Sequence, residues 1–249
     1  MSICLILLPL LMAALAAAIP SNRGRPWLLP VTATAHCVLA LWALFPPVSP
    51  GSAGSAGGAG GGWLVLDPPG RIIFIQISVL YLLCSYYAVG YLRHREERNN
   101  RVFCVCFLSA LSTMTLVVWS HHLGLMWVAM ETTTLVTAPL IYFNRTRQSI
   151  EATWKYMMVG SVGIALALLG TFFLAYAALH GGVESSLTFE NLLQHASALS
   201  KPWLHAAFIL LLVGYGTKMG LAPMHTWKPD AYGEAPGVVG AILAGGVTS

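Results

Sequence analysis

Charge is what this chain has least of. Only 9% of its 249 residues are Asp, Glu, Lys or Arg, against about 25% in a soluble domain. The thirteen Lys and Arg are scattered over short loops, so there is no basic patch of the kind that binds nucleic acid. Haem, flavin, iron–sulfur and nucleotide motifs are missing too, so electron transfer is expected in other subunits, and with no nucleophile–base or metal-ligand cluster standing out a membrane-embedded enzyme is the weakest reading. The five cysteines (Cys4, Cys37, Cys84, Cys104 and Cys106) fall in apolar runs. They read as small buried hydrophobes, and Cys104-x-Cys106 has the wrong spacing for a metal site. What remains is 57% apolar with a mean hydropathy of +0.71: an all-α, polytopic membrane protein.

A span needs about 20 apolar residues to cross a core roughly 30 Å thick. Seven stretches approach that length: 3–19, 27–45, 72–92, 102–120, 123–143, 156–179 and 204–223. An eighth opens near Pro236, and the roughly 14 residues left to it are too few for a crossing, so the chain reads as a truncation. Arginine and lysine gather in alternate loops. Arg23 and Arg25 follow the first span, four arginines lie in 93–101, and Arg145, Arg147 and Lys155 follow the fifth. The positive-inside rule makes those loops cytoplasmic and the amino terminus external. Ala16-Ala-Ala18 resembles a signal-peptide cleavage site, but the first apolar run has no basic segment before it, so it reads as a retained helix.

Two regions divide the chain: 1–71, with two peripheral helices and a Gly/Ser-rich external loop over 50–62, and 72–249. In 180–203 a short amphipathic helix is predicted to lie on the membrane surface, with Leu187, Leu192 and Leu193 toward lipid.

Against this apolar background the intramembrane charges stand out. Lys218 sits inside a span, in Gly214-Tyr-Gly-Thr-Lys-Met-Gly220, and an ammonium at membrane depth costs roughly 3 kcal/mol on insertion scales. The glycines before it, and Gly220, Pro223 and Pro229 after it, oppose a continuous helix. A broken helix survives in a bilayer only where it lines protein or a wet cavity. Snorkelling to the interface is the structural alternative for this lysine. Glu131 lies in Trp127-Val-Ala-Met-Glu-Thr-Thr-Thr134. It is either a proton carrier or a neutral carboxyl satisfied by the threonine hydroxyls. Lys155, at the start of the sixth span, is either a charge-side anchor or a buried ammonium around which Gly160-Ser-Val-Gly163 lets helices close. His225 follows Lys218 by about two helical turns, and is either a proton relay or a cap on the break. His121 and His122 read as solvated loop residues, and Asp230, Glu234 and Lys228 as a polar connection into the eighth span.

The stretch 214–236, with its Gly-Thr-Lys-Met-Gly-Leu-Ala-Pro-Met-His-Thr-Trp core, resembles the seventh-helix signature of the proton-conducting, antiporter-like membrane subunits. These are shared by respiratory complex I, Mrp-type antiporters and membrane-bound hydrogenases, and the form here is most similar to hydrogenase-4 component F and formate hydrogenlyase subunits. Trp127-Val-Ala-Met-Glu131 resembles the family's fifth-helix glutamate motif, and Ala152-Thr-Trp-Lys-Tyr156 its sixth-helix lysine motif. The resemblance implies an antiporter-like fold of two inverted five-helix repeats, each with a broken helix, of which this chain would hold the first. The second repeat is absent from it. The chain departs from the family at Pro236-Gly-Val-Val-Gly-Ala-Ile, and at Ala244, where complex I relatives carry histidine.

What the resemblance implies is a proton-translocation path through Glu131, Lys155, Lys218 and His225, moving protons or Na+. The Glu131/Lys218 pair would be the gate: approach of the two charges favours their ionised forms, and separation frees the lysine to pass on its proton. The chain would be a non-catalytic subunit of an oxidoreductase complex, with no cofactor or metal of its own and no nucleic acid. Its partners would be the other membrane and peripheral subunits of a hydrogenase or complex I-like assembly, in a prokaryotic inner membrane. A stand-alone cation/proton antiporter and a non-pumping structural subunit are the alternatives.

Overall fold

Helices make up most of the described residues, and many large apolar side chains lie on their outer surfaces. The computed structural model describes residues 1–44, 62–95, 97–182 and 186–247; the Gly/Ser-rich loop expected over 50–62 lies, but for Gly62, outside them. The elements are α1 (Ser2–Ala18), α2 (Leu28–Leu44), α3 (Pro68–Arg93), α4 (Arg101–Trp119), α5 (Leu123–Ile141), α6 (Arg147–His180), α7 (Phe189–Gln194), α8 (Lys201–Met219), α9 (Trp227–Glu234) and α10 (Gly237–Ile242). Five described helical segments are long and apolar enough to cross a membrane: those containing α2, α3, α4, α5 and α6. The other two expected spans are helical as well. α1 has 17 residues, and α8 carries Lys201 and Lys218 at its ends.

Large apolar side chains such as Leu11, Ile72, Leu83 and Phe208 point outward, Ile72 being 70% exposed. In water such a surface would aggregate; in a bilayer it is the lipid contact. The chain is a multi-pass membrane protein. α1 packs on α4, α2 on α3, α4 on α5 and α5 on α6, while α6 and α8 make the most extensive pairing. α3, α4 and α10 share the main core, where Tyr81, Phe103 and Phe107 are buried.

α6 and α8 come close because the residues between them are small. A Cβ on Gly214 would meet the Ala167 backbone nitrogen at 2.5 Å, and one on Gly163 would meet Thr217 Cβ at 2.7 Å. With lipid as apolar as leucine, helices associate where their backbones can approach. Of the glycines expected to let helices close around Lys155, Gly163 instead meets the Lys218 segment and Gly160 meets Thr134 of α5.

α6 is longer than its predicted span, starting at Arg147, where Thr146 caps it by accepting from Ser149 N–H. At the opposite end of the bundle, segments near 63–65, 120–123 and 187–189 are stitched by backbone bonds, with His121 N–H donating to Trp63 and Leu123 N–H to Leu187. This stitching corrects two expectations. Leu187 and Leu192 pack on Leu123, Leu174 and Leu199, and of the three leucines it is Leu193, 77% exposed, that faces out. His122 is not a free loop residue. Its Nδ1 accepts from Gly124 N–H and so caps α5, and its ring stacks on Trp63 at 4.5 Å.

Burial lowers the His122 pKa from 6.5, and protonating Nδ1 would turn the capping acceptor into a donor. The unfolded chain then binds the extra proton, so the cap's contribution is present above about pH 6.5 and lost as pH falls below it. Melting temperatures measured between about pH 5 and 8 should drop on the acid side more for wild type than for His122→Asn, which keeps a capping acceptor that does not titrate. Superimposable pH profiles would remove His122 from the account.

Candidate functional site

Lys218 is placed by the way α8 ends. Gly220 adopts a left-handed conformation (φ 75°), and Leu221 N–H returns to the Gly216 carbonyl at 2.8 Å, a closure that only glycine makes cheaply. The Lys228 side chain lies against Gly220 where a Cβ would otherwise project. The chain resumes as a helix at Trp227, so the seventh span is discontinuous, α8 then α9. The fully buried Trp227 donates its indole N–H to the Thr217 carbonyl at 3.0 Å, a second donor to an acceptor at the end of α8 that Gly220 N–H also reaches at 3.2 Å. Lys218 sits in the last turn of α8, where the negative end of the helix dipole favours a cation.

The ammonium is 2% exposed. It donates to Thr134 Oγ1 on α5 and to the Tyr156 hydroxyl on α6 at 3.3 Å, and it lies 5.3 Å from the centre of the Tyr156 ring. Tyr156 in turn is hydrogen-bonded to Thr137 Oγ1 at 2.7 Å. Thr137 and Thr134 also bond to the Thr133 and Met130 carbonyls, so the network accepts an ammonium without conflict. Hydroxyls accept from an ammonium and donate to a neutral amine, so this cage holds lysine in either protonation state.

Glu131 lies one helical turn before Thr134 on α5, on the same face. Its Oε1 accepts from Ser161 Oγ on α6 at 2.9 Å, while its buried Oε2 has no hydrogen-bond partner. The glutamate and the lysine therefore share a polar stripe without touching: Ser161 holds one, Thr134 and Tyr156 the other.

Lys155 is elsewhere. It is half-exposed and forms ion pairs with Glu151 at 2.8 Å and Asp230 at 2.7 Å, beside a cavity of about 190 Å³ lined by Glu151, Asp230 and Glu234 among others. Asp230 thus holds a lysine, and Glu234 accepts from Thr146 at 3.3 Å. His225 lies exposed on the turn between α8 and α9, away from the ammonium's hydrogen bonds. Sequence reasoning overlooked Tyr156, Ser161 and Trp227 as parts of the cage. The signal was there for two of them: Ser161 follows Gly160 in a small-residue run, and Tyr156 is a polar aromatic at the head of an apolar one.

The cage assigns Tyr156 a stability role through its hydroxyl. Tyr156→Phe removes an acceptor from a buried ammonium and a partner from Thr137, and should cost about 1–3 kcal/mol. In Lys218→Met the same change should cost less, because the ammonium is gone; a double-mutant cycle on unfolding stability measures the difference. Equal costs in the two backgrounds would mean that the hydroxyl does not serve the lysine.

The family model described as "NADH:quinone oxidoreductase/Mrp antiporter, TM" matches residues 120–249, a region that contains all of these side chains. Among curated relatives, the chain is 35% identical over 196 residues to the hydrogenase-4 component F homolog of Methylacidiphilum infernorum, covering 72% of this chain and 41% of the relative. It is 29% identical over 259 residues to NADH-quinone oxidoreductase subunit N of Desulforudis audaxviator, covering 99% and 49%. It thus spans about half the length of these relatives or less. The fold superimposes with a TM-score of 0.84 and 22% identity on a chain of the membrane-bound sulfane sulfur reductase, an archaeal respiratory membrane complex, over 100% of this chain and 50% of the other.

Proposed function

Because the chain belongs to the NADH:quinone oxidoreductase/Mrp antiporter family of membrane subunits, we propose that it carries the first half of an ion-translocating unit, moving protons or Na+ in step with redox chemistry in partner subunits of a hydrogenase or complex I-like assembly. One observation carries this reading: a lysine 2% exposed, at a helix break, held by two neutral hydroxyls, one of which lies a helical turn from a carboxylate that has an unpaired oxygen. A purely structural ion pair would bring the two charges together. Here they are held apart by partners that each could exchange.

Lys218 is the proton-bearing group and Glu131 its switch. Rotation of either side chain off its hydroxyl lets the two charges meet, which favours the ionised forms. Their parting leaves the ammonium with hydroxyls alone and makes its proton easier to release. Lys155, with Glu151 and Asp230, forms the polar mouth beside the cage, and His225 receives protons on the exposed side of the break. The region 72–249 is the conducting part, and 1–71 its periphery.

Lys218→Met keeps the side chain's length and removes its charge. In proteoliposomes of the assembled complex it should abolish or nearly abolish ion translocation while the variant still inserts and assembles. Translocation at the wild-type rate would reduce Lys218 to a structural anchor.

We further propose an external amino terminus in a prokaryotic cell membrane, on the strength of the arginine asymmetry. In a cysteine-depleted background, a membrane-impermeant thiol reagent applied to intact cells should label His195→Cys and leave Glu97→Cys unlabelled until the membrane is opened. The reverse pattern would invert the topology.

A further inference from the structure

α9 is too short to hold itself in place. Its 8 residues fall below the length, about 12 or more, at which a helix persists alone, so its position is set by what it touches. Trp227, Asp230 and Glu234 recur at three- and four-residue spacing on one side of it, and each is bonded to something outside α9. The Trp227 indole reaches Thr217, and its ring tilts against that of Tyr156, centroids 5.1 Å apart. Asp230 Oδ2 accepts from Lys155 Nζ on α6 at 2.7 Å. Glu234 accepts from Thr146 at its carboxylate, 3.3 Å, and from Asn144 at its carbonyl, 3.1 Å.

Lys155 and Tyr156 are neighbours in the chain, so α6 meets α9 through two adjacent residues, one by an ion pair and one by a ring contact. The ring contact bears on the buried ammonium, because the ring that Trp227 touches carries the hydroxyl that accepts from Lys218. Lys155 has two carboxylates, and they are not equivalent. Glu151 lies four residues back on α6 and ties the lysine to its own helix; Asp230 ties it to α9. The Lys155 and Asp230 side chains are 47% and 42% exposed, and an ion pair so placed adds little to stability. What it can fix is where α9 stands.

We infer that Asp230 is a positioning residue for Lys218: by fastening α9 to Lys155 it keeps Trp227 against Tyr156, and the Tyr156 hydroxyl on the ammonium. The inference rests on the reading that Lys218 carries the translocated proton. In Asp230→Asn, Lys155 retains Glu151 as its counter-ion while α9 loses its ionic fastening to α6. Tyr156 is then less closely held, and a hydroxyl serves the ammonium only within hydrogen-bond distance.

The test is ion translocation in proteoliposomes of the assembled complex. Asp230→Asn should slow it several-fold, since small misplacements of a transferring group are costly, and Glu151→Gln should slow it less. Asp230→Glu, which keeps the carboxylate, should recover most of the loss. With Tyr156→Phe, where no hydroxyl is left to position, Asp230→Asn should cost little more. Hydrogen–deuterium exchange read by mass spectrometry should quicken over 227–234 in Asp230→Asn but not in Glu151→Gln, with exchange over 101–119 unchanged in both as the sign of a folded chain. If Tyr156→Phe does not assemble, the Asp230→Glu recovery and the exchange comparison carry the decision. Equal losses from Asp230→Asn and Glu151→Gln, or an undiminished loss on the Tyr156→Phe background, would overturn the positioning role and leave that of Lys218 intact. Normal translocation by Lys218→Met would overturn the reading of the site, and this inference with it.

Discussion

Much of this structure follows from keeping one ammonium at membrane depth. Lipid offers Lys218 no hydrogen bond, so the protein must supply acceptors from every side, and the architecture near residue 218 serves that need. α8 stops one residue later, presenting the end of its dipole. The Gly163–Gly214 contact brings α6 close enough for Tyr156 to reach the nitrogen. α5 contributes a stripe in which Thr134 and Thr137 follow Glu131 at three-residue intervals, one face of one helix. The Trp227 indole closes the gap opened by stopping α8 there. Each feature alone weakens a membrane helix; together they make a cage.

The basic residues divide into three physical situations. Lys155 is a solvated cation between two carboxylates, where its charge is fully answered. Lys218 is buried among hydroxyls, which stabilise it without fixing its proton. Arg25 is buried among amides and carbonyls, and it cannot change its protonation at all. Only the second situation suits proton transfer. The third is a structural clasp, tying the end of α1 to the turn before α4.

How much was legible in the residues depends on how local the cause was. The helix break was readable because its causes, Gly216, Gly220 and Pro223, adjoin Lys218 in the chain. Glu131 was conspicuous because a carboxylate in an apolar run needs an explanation. The capping role of His122 was not readable, because it depends on Trp63 and on the turn of α5. Nor was the fate of the glycines of α6: spacing showed that some helix would pack there, and only the fold showed it to be α8. Leu187 and Leu192 were misassigned to lipid for the same reason, since periodicity reports an apolar face without naming what covers it.

By itself the sequence determined the all-α membrane class, the spans, the alternation of arginine-rich loops and the break after Lys218, because each follows from residues next to one another in the chain and from the cost of polar groups in hydrocarbon. The tertiary structure decided which of the intramembrane charges touch. Glu131 and Lys218 look like a pair in sequence, but Ser161 and Tyr156 from α6 and Thr134 from Glu131's own helix take up their hydrogen bonds, and the two charges do not bond to each other. Hydrogen bonds form between atoms a few ångströms apart, and no spacing along one helix fixes where a second and a third helix will set their hydroxyls.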